Sequence, residues 1–219
     1  MLIEEAKWFG ENIRSFEPDD IFPMCNVGSS TWEFRTMEQP WIDEFIFAPA
    51  RDLGQTVKHV DIKDAPGVDI VGDLLNPGFR RQLSQLKFKS VFCSNLLEHV
   101  GNRREISAVL TAIVPVGGHL FVSCPYRYPR HLDPVDTGFR PDIQGLAATF
   151  QGTSVVSGEI VINGTYWDVI SDTPFTLLKT GVRLLLPFYK FRNWQTNVYH
   201  LPWLMKRFEA TCVVLRREA

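Results

Sequence analysis

Three stretches of this 219-residue chain combine residue types and spacings that could do chemistry. The first is "NVGSSTWEFR", residues 26–35, which follows the apolar run of residues 21–25. A glycine where an apolar run meets small polar residues predicts a strand, a tight turn and a helix start, the place where α/β proteins hold nucleotides. The dinucleotide fingerprint G-x-G-x-x-G is incomplete here, because Ser30 and Glu33 occupy the later glycine positions. The second stretch is "SNLLEHV", residues 94–100. If a helix begins there, Asn95, Glu98 and His99 fall at i, i+3 and i+4 on one face. The third is "PYRYPRHLDPVDTGFRP", residues 125–141, with four prolines in 17 residues and the polar set Tyr126, Tyr128, Arg130, His131, Asp133, Asp136 and Arg140. His131-x-Asp133-x-x-Asp136 has metal-ligand chemistry, but such loop residues are as readily solvated or bonded locally.

These stretches need elements to position them. Leu2, Ala6, Phe9, Ile13 and Phe16 recur at three and four, an amphipathic helix over 2–16. Strands are expected at 21–27, 56–62, 68–74, 89–94 and 119–124. Helical stretches at 40–53 and 103–114 separate some of them. Strands alternating with helices imply a doubly wound α/β sheet, mostly parallel, with helices on both faces. After Cys124 the prolines break any regular element, and a loop this long inside a compact domain is usually functional. Two closing strands are expected at 155–162 and 211–216. Residues 165–205 give no clear pattern.

The totals narrow the function classes. An apolar fraction of 45% over 219 residues supports one well-buried core, read as a single domain: an N-terminal helix over 1–20, a ligand-binding core over 20–150, and closing strands with a basic aromatic segment over 151–219. Net charge is −2, so no global field recruits nucleic acid or membrane. The charge is uneven: residues 1–70 hold 14 acidic and 6 basic side chains, and residues 179–219 hold 8 basic and 2 acidic. That tail reads as a solvated basic face over aromatics or as a binding surface, and peripheral membrane contact through residues 182–194 is one such use. Cys25, Cys93, Cys124 and Cys212 all sit in apolar runs without a C-x-x-C pair, as expected of buried free thiols in a reducing compartment. The first residues are too acidic for a signal peptide, and no apolar run nears the ~20 residues that span a bilayer. A cytoplasmic location follows as the default expectation.

The ordered set "NVGSS", "VKHVDI", "VDIVGDL", "VFCSNLLEHV" and "VPVGGHLFVSCP" resembles class I S-adenosylmethionine-dependent methyltransferases, closest to the methyltransferase type 11-like group with Leu-Glu-His-Val after its fourth strand. The resemblance covers roughly residues 20–150. It implies a Rossmann-like sheet with an antiparallel last strand and S-adenosyl-L-methionine as cofactor. It implies a cofactor site at Asn26, Gly28, Ser29, Ser30, Asp61, Ile62, Asp73, Leu74, Ser94 and Asn95. In that site the Gly28 turn and the residues after it, Ser29, Ser30 and Thr31, would offer N–H and hydroxyl donors to a carboxylate. Asp61 would accept from the ribose hydroxyls, and Asp73-Leu74 would contact adenine. Asp61 and Asp73 are also types that cap turns at strand ends.

Two departures stand out. Asn26 replaces an acid that the family usually carries, and Trp32 stands where a third glycine often does. Some relatives hold a divalent metal at this Glu-His pair with an additional acid; Asn95 occupies that acid's place, so no metal is expected. The loop after the fifth strand would face the acceptor through Tyr126, His131, Asp133, Asp136 and Arg140, with His131 as candidate general base because its pKa lies near neutrality and Arg140 as a forked anchor.

The function implied is methyl transfer to a small-molecule or glycan-type acceptor. A cofactor-weakened binding or partner subunit is one alternative. An RNA methyltransferase using the basic tail is another, although nucleic acid is not the expected partner.

Overall fold

The computed structural model describes residues 1–130, 135–171, 173–186, 188 and 191–219. Seven strands form one sheet in the order β3-β2-β1-β4-β5-β7-β6: β1 (Met24–Val27), β2 (Val57–Asp61), β3 (Ile70–Val71), β4 (Ser90–Ser94), β5 (His119–Arg127), β6 (Thr153–Thr165) and β7 (Arg207–Arg217). The first five pair in parallel, and β7 lies antiparallel between β5 and β6. The central strand β1, with β4 through Cys93 and β5 through Pro125, is buried throughout, which is why these strands read as continuous apolar runs rather than alternating ones.

The two-residue period of the strands divides the core between two faces. Cys25, Val27, Val91, Cys93, Leu120 and Val122 point to one face, where α4 (Pro77–Gln85) and α5 (Arg103–Ile113) supply Phe79, Leu83, Ile106, Val109 and Leu110. Met24, Phe92 and Phe121 point to the other, covered by Ala6, Phe9 and Ile13 of α1 (Ile3–Arg14) and by Ile42, Ile46 and Phe47. The four cysteines are free and buried, and burial pushes the Cys25 thiol up to about 12.

Several boundaries differ from the sequence reading for local reasons. Ile21 closes a short helix, α2 (Pro18–Ile21), so β1 begins at Met24. β5 continues through Pro125 to Arg127, and a register irregularity between those two residues accommodates the missing proline N–H. The 40–53 stretch holds a π-helical turn (Asp43–Phe47) and α3 (Ala48–Asp52). Asn76, whose side chain accepts from Gly78 N and Phe79 N, caps α4, a helix the periodicity did not announce. The closing strands are longer than expected. Between them lie α7 (Tyr166–Ser171), α8 (Pro174–Leu185) and α9 (Phe191–His200), while α6 (Ile143–Ala147) precedes β6. Among the described residues no helix is long and apolar enough to cross a membrane.

Candidate functional site

Strand order reverses between β1 and β4, and in open α/β sheets the ligand crevice lies outside the carboxyl ends at that point. The loop after β1 meets the residues after β4 there. Gly28 has φ +68°, and a Cβ at this position would sit 3.2 Å from Leu96 Cδ1, so glycine serves both the turn and the close approach. Ser30 follows with φ 55°, a conformation costly for a side-chain residue.

Arg35 explains how that conformation is held without further glycines. It is buried, and its Nη1 donates to Ser29 O (2.8 Å) and Ser30 O (2.7 Å) while Nη2 donates to Gly67 O (2.7 Å). One guanidinium thus fastens the β1 loop to the β2–β3 loop. Trp32 N donates to Pro66 O (2.8 Å) across the same seam. Gly67 has φ +85°, and a Cβ there would lie 2.5 Å from Trp32 Cβ. Gly67→Ala should therefore cost about 1–3 kcal/mol in urea unfolding, through strain and a displaced Trp32; a loss below about 0.5 kcal/mol would show that this seam yields freely. The 33-residue step from Gly28 to Asp61 takes in a π-helical turn (Phe34–Glu38) carrying Arg35, the π-helical turn over Asp43–Phe47, α3 and β2.

The backbone donors expected of this loop are engaged inside the protein. Gly28 N and Ser29 N donate to Val60 O (2.9 and 3.2 Å), and Ser30 N donates to Asp61 Oδ2 (2.7 Å). Thr31 Oγ1 accepts from Phe34 N, a turn cap. Ser29 is buried. Asp61 Oδ1 accepts from Lys63 N (3.0 Å), so each half-buried carboxylate oxygen takes one backbone donor and keeps a second lone pair. Beside it Ile62 is 69% exposed, an apolar ledge at the strand end. Asp73 is exposed, with Oδ1 accepting from Leu75 N (2.9 Å), while Leu74 is buried. Asn26 is buried and pairs its amide with His59 Nδ1 (2.9 Å). Burial pulls the His59 pKa down to about 4, so the imidazole is neutral and its Nδ1 accepts.

The end of β4 is organised by a residue that the sequence reading treated only as part of an acidic helix start. Glu5 of α1 is buried, and its Oε1 accepts from Ser123 Oγ (2.5 Å), Asn95 Nδ2 (2.9 Å) and Ser94 Oγ (3.1 Å). Its Oε2 accepts from Leu2 N (2.9 Å). Ser94 and Asn95, both cofactor candidates, are thereby oriented by one carboxylate. Asn95 has φ 51°, and only a 3₁₀ turn (Leu97–His99) follows, so the expected helix face shared by Asn95, Glu98 and His99 does not form.

Glu98 instead turns inward, its two oxygens buried and, among the described residues, without a hydrogen-bond partner, and its Oε1 3.7 Å from His99 Nε2. Burial, and then the nearby Glu5 charge, push its pKa up to about 8. Among the described residues no three His, Cys, Asp or Glu side chains are grouped to hold a metal.

The proline-rich loop lies over this turn. Thr137 N and Oγ1 both donate to Glu98 O (2.9 Å each), His99 Nδ1 meets Val135 O (2.7 Å), and the Arg103 guanidinium stacks 4.6 Å over Phe139. Asp136 and Arg140, expected to face an acceptor, are paired with each other: Nη1 to Oδ1 at 3.0 Å and Nη2 to Oδ2 at 2.5 Å, with the aspartate side chain fully buried. Arg140 is a loop staple rather than an open anchor. Tyr126 is half-buried at the end of β5 with the Arg127 guanidinium 5.8 Å over its ring. His131 and Asp133 lie outside the described residues.

No family model matches the chain, and no curated protein matches it. Solved structures do. Coclaurine N-methyltransferase, bound to N-methylheliamine and S-adenosylhomocysteine, superposes with a TM-score of 0.55 at 12% identity, covering 97% of this chain and 69% of that one. The [4+2]-cyclase SpnF gives 0.54 at 12% identity, covering 97% and 82%. A SAM-dependent methyltransferase from Archaeoglobus fulgidus gives 0.52 at 10% identity, covering 97% and 94%. Identities this low carry the fold alone, and the cyclase illustrates that a shared fold does not dictate one reaction. The sheet order, its single antiparallel strand and these superpositions together give this chain the class I S-adenosylmethionine-dependent methyltransferase fold.

Proposed function

We propose that this chain transfers a methyl group from S-adenosylmethionine to a nucleophilic oxygen, nitrogen or carbon on a small-molecule or glycan-type acceptor. The observation that carries this reading is the coupled pair of strand ends: the Gly28–Ser30 turn clasped to Asp61, opposite Ser94 and Asn95 held by Glu5. The residues present fit the cofactor. Asp61 retains acceptor capacity on both oxygens for a vicinal diol, Ile62 offers an apolar ledge for a flat ring, and Asp73 can accept from an exocyclic amine. Bound there, S-adenosylmethionine would supply a methyl group already activated by the sulfonium charge.

The protein's share of the chemistry is positioning. Arg35 and Asp61 set the β1 loop, and Glu5 aims Ser94 and Asn95 at the cleft. The acceptor side is assigned to the proline-rich loop, with Tyr126, His131 and Asp133 as its candidate contacts. His131 is assigned the role of base when the nucleophile is a hydroxyl.

Calorimetric titration with S-adenosylhomocysteine tests the reading. Ligand at ~100 times its dissociation constant should add roughly 2.7 kcal/mol to unfolding. Asp61→Ala should weaken binding at least about tenfold, or ~1.4 kcal/mol, in a chain that still unfolds cooperatively. A flat titration at millimolar ligand, with no thermal shift, would overturn it.

A further inference from the structure

The segment between β6 and β7 leaves and re-enters the sheet at one place, because Thr165 and Arg207 are paired neighbours. β6 runs parallel to β5, so α7, α8 and α9 stand on the same carboxyl edge as the candidate site. They are rooted there by Tyr166, Ile170 and Phe208, which pack with Leu2, Tyr128, Trp203 and Leu204. The root is well packed, yet the outer surface is not covered.

Among the described residues α8 buries none of its side chains. Phe175, Leu178, Val182 and Leu185, at spacings of three, four and three, share one face. They are joined by Leu186 and by Phe188, which is 98% exposed. The helix is attached on its other side, where Trp194 Nε1 donates to Leu184 O (3.1 Å). Its start is fixed by Thr173, whose Oγ1 accepts from Thr176 N (3.1 Å). A well-capped helix that presents a row of large apolar side chains to solvent needs a partner.

Charge identifies the partner's chemistry. Residues 173–208 contain Lys179, Arg183, Lys190, Arg192, Lys206 and Arg207 and no aspartate or glutamate. Lys179 and Arg183 lie one position after Leu178 and Val182, on the flank of the apolar row, and the Lys179 ammonium sits 6.0 Å over the Phe175 ring. An apolar row edged by cations, in a segment free of anions, matches a surface with negative headgroups above an acyl interior. A second copy of this face would bring like charges together.

We propose that α8, with Leu186 and Phe188, docks on the surface of an anionic lipid bilayer, with Phe175, Leu178, Val182, Leu185 and Phe188 entering the headgroup–acyl boundary and Lys179 and Arg183 meeting the headgroups. The helix lies on the membrane rather than crossing it, and the docked face adjoins the edge of the sheet that carries the candidate site. This inference stands independently of methyl transfer.

Vesicle sedimentation tests it. The full chain should pellet with phosphatidylcholine vesicles containing about 30 mol % phosphatidylglycerol and stay at least about tenfold more in solution with phosphatidylcholine alone. Raising salt from about 0.1 M to roughly 0.5 M should reduce pelleting several-fold. Leu178→Asp/Leu185→Asp should abolish pelleting, and Lys179→Glu/Arg183→Glu should reduce it at least about tenfold. Both double variants alter exposed or flanking positions and should melt within a few degrees of the parent chain, so loss of binding is separable from loss of fold. Pelleting that ignores lipid charge or these substitutions overturns the proposal. So does a chain that shuns anionic vesicles but sediments as a dimer that Leu178→Asp/Leu185→Asp dissociates, which would assign the face to a second copy.

Discussion

Arg140→Ala should lower the unfolding free energy by about 3–5 kcal/mol, measured by urea denaturation. Asp136 is fully buried at its side chain, and Arg140 meets both of its oxygens. Gly138 N adds a third bond, to Oδ1 at 2.8 Å. Removing the guanidinium takes two charge-assisted bonds from a buried carboxylate, which is the costly way to break a buried ion pair. Arg140→Lys should recover less than half of the loss, because an ammonium cannot match the two-point fork. Arg140→Leu combined with Asp136→Leu should recover more than Lys does, since a buried pair exchanged for apolar groups is often neutral. A loss under about 1 kcal/mol for Arg140→Ala would mean that the pair behaves as a solvated surface bridge and the loop stands open.

Glu98 gives the second large effect, in the opposite direction. Its folded pKa of about 8 lies above the ordinary 4.5, so between those values the folded chain holds a proton that the unfolded chain has released. The stabilising contribution is therefore complete below about pH 4.5 and is lost as pH rises toward 8. At pH 7 Glu98→Gln, which stays neutral, should be more stable than the parent by on the order of 3 kcal/mol. At about pH 4.5 the two should be nearly equal. The groups that bear on this carboxyl are its own backbone N–H, which lowers its pKa, Glu5, which raises it, Arg140 and the terminal amine, which lower it, and His99 at 3.7 Å from its Oε1. Burial is the largest influence of all. A Glu98→Gln variant less stable than the parent at every pH would show that Glu98 is ionised and well paired.

The sheet was readable because its central strands are buried on both faces and stand out as apolar runs. The order of its loops was readable because glycine and aspartate mark strand ends. Helix α4 escaped because its strongest signal is a cap, Asn76 with Pro77, while only Phe79 and Leu83 are buried from it. The π-helical turn at Phe34–Glu38 escaped because its period is not the one amphipathicity assumes, while the turn at Asp43–Phe47 fell within the 40–53 stretch read as helical. Gly28 and Asp61 were legible as the residue that follows β1 and the residue that ends β2.

Arg35 and Glu5 were not legible. An arginine within a polar stretch and a glutamate in a helix's first turn are ordinary surface residues by sequence, and only tertiary packing turns them inward. The pairing of Asp136 with Arg140 was hidden for a related reason. Spacing showed two charged residues four apart in a loop, but not that each would be the other's partner.

The position of Glu5 bears on how this protein can be recombined. The sheet begins at Met24, and an exchange that kept the sheet while borrowing a first helix from elsewhere would look modular. Yet that helix delivers the shared acceptor for Ser94 at the end of β4, Asn95 just beyond it and Ser123 on β5, 89 to 118 positions downstream. A graft lacking an acid at that turn would take the shared acceptor from two serines and an amide, one of them the fully buried Ser123. The first helix and the ends of β4 and β5 must be inherited as one unit.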